Sequence, residues 1–346
     1  MARVLIINEC YSDNIGDQAI AGGVSWLFDQ HGHEVLKKDF SFRSEVAAGN
    51  LSSPSWFKSK IPKIIKFIFF FLKNLKRAVS VSSGLHEFAV IGGGQLILGQ
   101  SNFPWAMFVW VNALKLYDKK VYLVGVGAGT KLSFLERVLY KQSLSRVDGI
   151  FVRDTASMSF LQRELKVKST VCPDVAYALR SDFMGGAVRQ RVCVVCITDY
   201  SVYLRYSKEM SRRFKTKEAY LDEWAEIVRF YEAAGYKVVL SGTTAVDLYY
   251  AQQLSGIVGC EVLFCENDRV PSYYEFMALC SSSELVVAGR MHALILAHIS
   301  GAKPCPYYIS KKIETFSSEY LSKDLDQINS EIEVSLKELM RFDTGV

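Results

Sequence analysis

The chain has 346 residues, of which 50% are hydrophobic and 22% charged. That balance excludes intrinsic disorder and leaves room for two ordinary domains. The net charge of +5 is far too small for a dedicated nucleic-acid binder, so no nucleic-acid partner is expected. The first eight residues are too short an apolar run for a signal-peptide core, which favours a cytoplasmic protein. Eight cysteines are scattered singly. Cys193 and Cys196 have a CxxC spacing but sit in an apolar strand without a second ligand pair, so reduced thiols and no metal site are expected.

Short apolar runs alternate with amphipathic segments along the chain, the pattern of parallel α/β units. In the first half the spacing predicts strands over 4–8, 88–91, 121–126, 149–152 and 169–172, with helices over 18–30, 105–117, 133–145 and 155–165. A Gly-Gly-containing stretch over 180–191 reads as a linker. Strands then resume over 192–197, 237–240, 261–263, 285–288 and 305–309, separated by helices over 217–234, 246–254, 273–281 and 291–300. Residues 322–341 are polar and helical in period, and are expected to pack back across the first half. The chain therefore reads as two successive α/β halves, 1–180 and 181–346, with an interdomain cleft. Ligands in such sheets sit outside the carboxyl ends of the strands.

The charge excess is local. Residues 46–86 hold seven Lys or Arg and no Asp or Glu, and the rest of the chain is slightly acidic. Within this window, segment 56–77 reads as a helix with Ile61, Ile64, Ile65, Ile68, Leu72 and Leu75 on one stripe. Lys63, Lys66, Lys73 and Arg77 lie opposite, and Pro62 suits the first turn. Two readings stay open: a domain helix with its stripe in the core, or an interfacial helix resting on anionic lipid at the inner face of a membrane.

Chemistry-bearing residues gather at the predicted strand ends. The first strand leads into Asn14-Ile15-Gly16-Asp17, a tight turn opening a helix, with Asp17 placed to cap it. The next ends in Gly92-Gly93-Gly94, where a ligand can approach the backbone closely and find N–H donors. The third ends in Gly125-Val126-Gly127, small at its tip, and the fourth in Val152-Arg153-Asp154, with Asp154 capping the next helix. Pro173-Asp174 closes the half as a turn. In the second half a buried strand delivers Gly289-Arg290-Met291-His292 into the first turn of an apolar helix. An arginine at a helix N-terminus is unfavourable unless an anion occupies the site, and its planar fork suits carboxylate or phosphate. His31, His33 and His86 read as surface loop residues, and His298 as a core or interface histidine. Lys311 and Lys312 follow the last strand and place an amine near the same end.

In this order the motifs resemble the polysaccharide pyruvyl transferase family, over roughly residues 4–315. The resemblance implies a GT-B-like fold, two Rossmann-type domains facing an interdomain cleft, without a catalytic metal or resident cofactor. It also implies phosphoenolpyruvate as donor substrate, with a pyruvyl group moved onto two hydroxyls of a cell-surface polysaccharide sugar, free or lipid-linked, as a cyclic ketal. In that chemistry Arg290 and Arg153 clamp the donor, His292 is the general acid or base, and Asp17 is its partner or an acceptor ligand. Asn14, Gly16, Gly93, Gly94, Met291 and Lys312 are expected to contact substrate. The sequence departs from the family pattern after Gly94 and around Tyr307-Tyr308, which leaves Lys311 and Lys312 both open. A nucleotide-sugar-dependent glycosyltransferase of the same architecture is the alternative reading, and a non-catalytic glycan-binding relative a third.

Overall fold

The computed structural model describes residues 1–41, 63–99, 101–129, 131–182, 189–209, 214–264 and 270–340. Within α2, the side chains of 63–70 fall outside this description, as do residues 56–62 of the predicted basic helix. In chain order the elements are β1 (Arg3–Asn8), α1 (Ile15–Gln30), β2 (Glu34–Asp39), α2 (Lys63–Ser82), β3 (Phe88–Ile97), α3 (Phe103–Leu116), β4 (Lys120–Ala128), α4 (Phe134–Leu144), β5 (Gly149–Val152), α5 (Thr155–Phe160) and β6 (Thr170–Val171). They continue with β7 (Gln190–Cys196), α6 (Tyr200–Glu209), α7 (Lys217–Ala233), β8 (Lys237–Ser241), α8 (Ala245–Val258), α9 (Tyr273–Ser282), β9 (Ser283–Ala288), α10 (Met291–Ile299), β10 (Lys303–Pro306), α11 (Lys311–Tyr320) and α12 (Leu325–Met340).

Two parallel sheets organise these elements, one of six strands in the order β2-β1-β3-β4-β5-β6 and one of four in the order β10-β9-β7-β8. Helices cover both faces of such sheets, which is why the central strands read as continuous apolar runs. Apart from Arg3, every residue of β1 is buried, and β3 is buried along almost its whole length.

Contacts divide the chain into two compact units. The first comprises Met1–Tyr11, Ile20–Val175 and Ser330–Val346; the second comprises Ser12–Ala19 and Ala176–Asn329. A single cut near residue 180 therefore misses two exchanges. The C-terminal half of α12 joins the first unit because its apolar residues Ile332, Leu336, Leu339 and Met340 are buried and the Met340 carbonyl meets His33 Nε2 at 2.8 Å. The first turn of α1 groups with the second unit.

Several elements differ from the pattern-based expectation, each for a local reason. β2 carries Leu36 and two lysines on an edge strand, with no apolar alternation to announce it; charge on an edge blunts further strand pairing. Residues 261–263 contribute only an isolated bridge, Val262 to Leu240. β10 stops at Pro306 and lies at a sheet edge, where Pro304 and Pro306 lack the N–H a central strand requires. In α2 the face turned to the core carries Phe71, Leu75, Ala78 and Val79, so Leu72 falls outside the stripe assigned to it and is exposed.

His33 and His86 are buried rather than on surface loops. The Ala2 N–H donates to His33 Nδ1 at 3.3 Å, which leaves the proton on Nε2 for the Met340 carbonyl. Burial, reinforced by the charge of Lys119, pushes the His86 imidazole down to about 4, and Lys119 Nζ donates to the His86 carbonyl at 2.6 Å. The unfolded chain takes up a proton near pH 6.5 that the folded one refuses until about 4, so stability is full above pH 6.5 and falls as pH drops through that window. With allowance for partial solvation the loss is about 1–2 kcal/mol. Urea midpoints at pH 7.5 and 4.5 will show a smaller pH dependence for His86→Leu than for the wild type; equal dependence removes His86 as the cause.

Candidate functional site

The cluster best able to do chemistry lies within the second unit. β9 is a buried parallel strand, and the chain turns at Gly289 and Arg290 into α10, whose residues are almost all apolar and buried. Arg290 stands at the N-cap of α10 in extended conformation and gives no side-chain cap to the helix. Its guanidinium is turned instead onto two aspartates. Nε donates to Asp247 Oδ2 at 3.1 Å, and Nη2 donates to Asp247 Oδ1 at 2.8 Å and to Asp199 Oδ2 at 2.9 Å.

Asp247 is fully buried in the first turn of α8. It also accepts from the Thr243 hydroxyl and the Asp199 N–H, both at 2.9 Å. Asp199 follows β7 and caps α6, accepting from the Val202 N–H at 3.0 Å and from the Ser201 hydroxyl. Burial opposes the charge of Arg290, but attraction to Asp247 and then Asp199 outweighs it and raises its pKa. The anion that the sequence argument required at this helix N-terminus is therefore supplied from inside the chain. Nε and Nη2 are committed to it, and of the five guanidinium N–H donors only those of Nη1 remain for another anion.

The N-terminal loop closes on the same cluster. Asn14 precedes α1 and caps it, its Oδ1 accepting from the Gly16 N–H at 2.9 Å. Asp17 is thus not the cap: it lies inside the first turn and accepts from the Ser12 hydroxyl at 3.1 Å. The Ile15 N–H donates to the Thr243 carbonyl at 3.1 Å, tying the loop to the segment that orients Asp247. Gly16 faces the His292 imidazole directly. A Cβ built on Gly16 would stand 2.1 Å from His292 Nδ1 and 2.8 Å from its Cβ. Asn14, Gly16, Asp17, Arg290, Met291 and His292 are thus brought together, with His292 half-buried and the Met291 side chain buried beside it.

Other expected site residues lie elsewhere. Lys312 is half-buried and Lys311 exposed in the first turn of α11, behind the Ser310 cap. Arg153, Gly93 and Gly94 belong to the first unit. Arg153 is buried, its guanidinium lying against Gly127, with Asp154 at 3.5 Å and Asp174 at 3.7 Å. Asp154 also caps α5 through the Ser157 N–H at 2.6 Å. Gly93 does not leave an opening for a ligand: its missing side chain is the space that Ile20 of α1 fills, where a Cβ would come within 1.7 Å. Gly93 and Gly94 both have positive φ, at the irregularity where β3 shifts register against β4. Cys193 and Cys196 are buried in β7, and burial pushes both thiols up, Cys193 to about 12. His298 packs edge-on against Tyr177 at 5.9 Å.

Sequence reasoning missed Asp199, Asp247 and Thr243. Thr244-x-x-Asp247 does carry a helix-start signature, and the Thr244 hydroxyl accepts from the Asp247 N–H at 3.1 Å. Nothing local, however, marks either aspartate as a partner of Arg290, from which they are 91 and 43 residues distant.

No curated protein sequence matches this chain significantly. Among solved structures it is similar to a Listeria monocytogenes protein assigned as a UDP-N-acetylglucosamine 2-epimerase, at TM-score 0.54 and 11% identity over 98% of this chain and 88% of that one. The Neisseria meningitidis UDP-GlcNAc 2-epimerase bound to UDP-GlcNAc gives TM-score 0.51 and 11% identity over 98% and 92% of the two chains. The Methanocaldococcus jannaschii UDP-GlcNAc 2-epimerase gives 0.50 and 10% over 96% and 92%. At these identities the likeness establishes the fold, which is GT-B-like with two Rossmann-type units. The sequence model of polysaccharide pyruvyl transferase matches residues 14–310, a span that begins at Asn14 and holds Arg153, Arg290 and His292. With that span covering most of its length, this chain belongs to the polysaccharide pyruvyl transferase family.

Proposed function

We propose that the protein transfers a pyruvyl group from phosphoenolpyruvate onto two hydroxyls of a saccharide, forming a cyclic ketal and releasing phosphate. The observation that supports this reading is the placement of the His292 imidazole against Gly16, which joins the loop that carries Asp17 to the helix start that carries the tethered Arg290. That is one titratable group, one carboxylate and one oriented cation at the start of a helix. Protonation of the donor's methylene carbon makes its neighbouring carbon electrophilic. One sugar hydroxyl adds there, phosphate departs, and the second hydroxyl closes the ring. His292 is assigned the proton transfers and Asp17 the acceptor hydroxyl. Arg290, held by Asp199 and Asp247, offers Nη1 to the donor's anionic groups. The backbone N–H groups at the start of α10, Met291 included, add anion-binding donors. Asn14 and Gly16 shape the loop, and Lys312 is a further cation in the same unit. Arg153 and Gly94 are proposed as substrate contacts within the first unit.

No helix among the described residues is long and apolar enough to cross a membrane. For the basic segment 56–77 we propose electrostatic contact with an anionic membrane carrying a lipid-linked acceptor.

The reaction is tested by incubating the protein with phosphoenolpyruvate and a synthetic glycoside, following phosphate release and product mass. The expected product is the glycoside plus pyruvate less water. Product formed only with a nucleotide sugar would replace this reading with glycosyl transfer.

A further inference from the structure

Three helices of the first unit lie side by side, with α3 between α2 and α4. Phe71 of α2 meets Trp105 of α3 edge-on at 5.8 Å. Asn112 of α3 exchanges hydrogen bonds with Gln142 of α4 at 3.2 and 3.0 Å. α4 is anchored inward by Leu139, Tyr140 and Leu144, all buried. Its other face carries three exposed apolar side chains, where an outward helix face is normally polar. Phe134, Leu135 and Val138 are 83%, 53% and 47% exposed, and their i, i+1, i+4 spacing makes them one contiguous patch.

The surroundings are cationic. Lys131, Arg137 and Lys141 are exposed around the patch. Nearby acids are already engaged: Glu136 turns back to the Ser133 N–H in a capping box, and Glu164 is paired with Arg137 and Arg163, both at 3.1 Å. On α2, Lys73 and Lys76 are exposed beside Leu72, in a window without a single acid. Exposed aromatic and aliphatic side chains ringed by positive charge complement the boundary between anionic headgroups and acyl chains. Topology adds direction. α4 follows β4, so its first turn lies at the carboxyl end of a parallel sheet, the end at which such sheets bind ligands.

We propose that Phe134, Leu135 and Val138 insert into an anionic lipid surface, with Lys131 and Lys141 on the headgroups, and so turn the carboxyl edge of the first sheet toward a membrane-borne acceptor. This gives the charge contact proposed for segment 56–77 an apolar insertion face. It rests on the pyruvyl-transfer reading only for what the acceptor is.

The experiment is sedimentation of the full chain with phosphatidylcholine vesicles, with and without phosphatidylglycerol, at low salt. The wild type is expected to bind only the anionic vesicles. The Phe134→Ser/Leu135→Ser/Val138→Ser variant should lose about tenfold or more in partitioning while keeping its far-UV spectrum, because the three side chains support no core. In parallel, Phe134→Trp should shift its emission to the blue on adding anionic vesicles. Binding by the triple variant equal to wild type, with loss only in Lys63→Glu/Lys66→Glu/Lys73→Glu/Arg77→Glu, would overturn the insertion face and leave the charge contact standing. No binding by the wild type would overturn both. A wild-type dimer that the triple variant converts to monomer would assign the face to a second copy instead. Because no donor or acceptor is present, none of these outcomes bears on pyruvyl transfer.

Discussion

Replacing Gly16 with alanine is expected to lower turnover by about a hundredfold while leaving the protein folded. The added methyl would stand 2.1 Å from His292 Nδ1, 2.5 Å from Cγ and 2.8 Å from Cβ. The last distance matters most, since a clash at the root of the side chain is not relieved by swinging the ring. Either the imidazole or the loop has to shift by a substantial fraction of an ångström, and misplacing a catalytic group by about 1 Å costs on the order of 10² in rate. Overpacking of this kind destabilises by about 1–3 kcal/mol, small enough for thermal unfolding to remain cooperative. His292→Ala is the companion variant: loss of the proposed general acid–base catalysis should lower turnover by about 10²–10⁴. If His292 performs the proton transfers, adding Gly16→Ala to His292→Ala should lower turnover little further, because no imidazole remains to be misplaced, while the 2.8 Å clash with the Cβ that alanine retains keeps its cost in stability. Activity near wild type in His292→Ala removes it from the mechanism. Full activity in Gly16→Ala places the reacting atoms away from this contact.

The second large effect is on stability. Arg290→Met should destabilise the fold by about 3–5 kcal/mol, the usual cost of removing one partner from a buried ion pair. Asp247 is fully buried and Asp199 nearly so, and without the guanidinium two carboxylates face each other with no counter-charge. Neutralising one of them as well, in Arg290→Met/Asp247→Asn, should recover about 1–2 kcal/mol despite being a second change to the same cluster. Arg290→Lys should fall between, because a point charge does not reproduce the fork that reaches Asp247 through Nε and Nη2 and Asp199 through Nη2. Urea unfolding of the three variants decides the matter. Replacing a residue that acts only as an anion clamp would raise the donor's KM and leave the unfolding midpoint where it was, so an unchanged midpoint would refute the buried-network role.

The two results bear on each other through Thr243. Its hydroxyl holds Asp247 and its carbonyl holds the N-terminal loop at Ile15. The loop that presents Gly16 to His292 and the aspartate that orients Arg290 thus share one anchor.

Much of this was legible in the residues. Alternation of apolar runs with amphipathic stretches gives parallel α/β order because burial on both sheet faces selects apolar strands, and that selection acts on each segment separately. The junction of a buried strand with Arg290 and His292 stood out because a cation at a helix N-terminus is locally unfavourable and demands an explanation within a few residues. The sequence likewise determined the basic character of 46–86 and, through the ordered motifs from Asn14 to His292, the family. What it did not contain was the identity of the groups that answer those demands. Asp199 and Asp247 satisfy Arg290 because β7 lies between β8 and β9, so loops distant in the chain meet at one sheet end. Gly93 accommodates Ile20, and Gly16 meets His292, because helices laid across strands bring remote backbones within van der Waals range. Local periodicity is set by hydrogen bonding and burial within each element. Which counter-ion meets which cation is set by sheet order, and only the tertiary structure decides that.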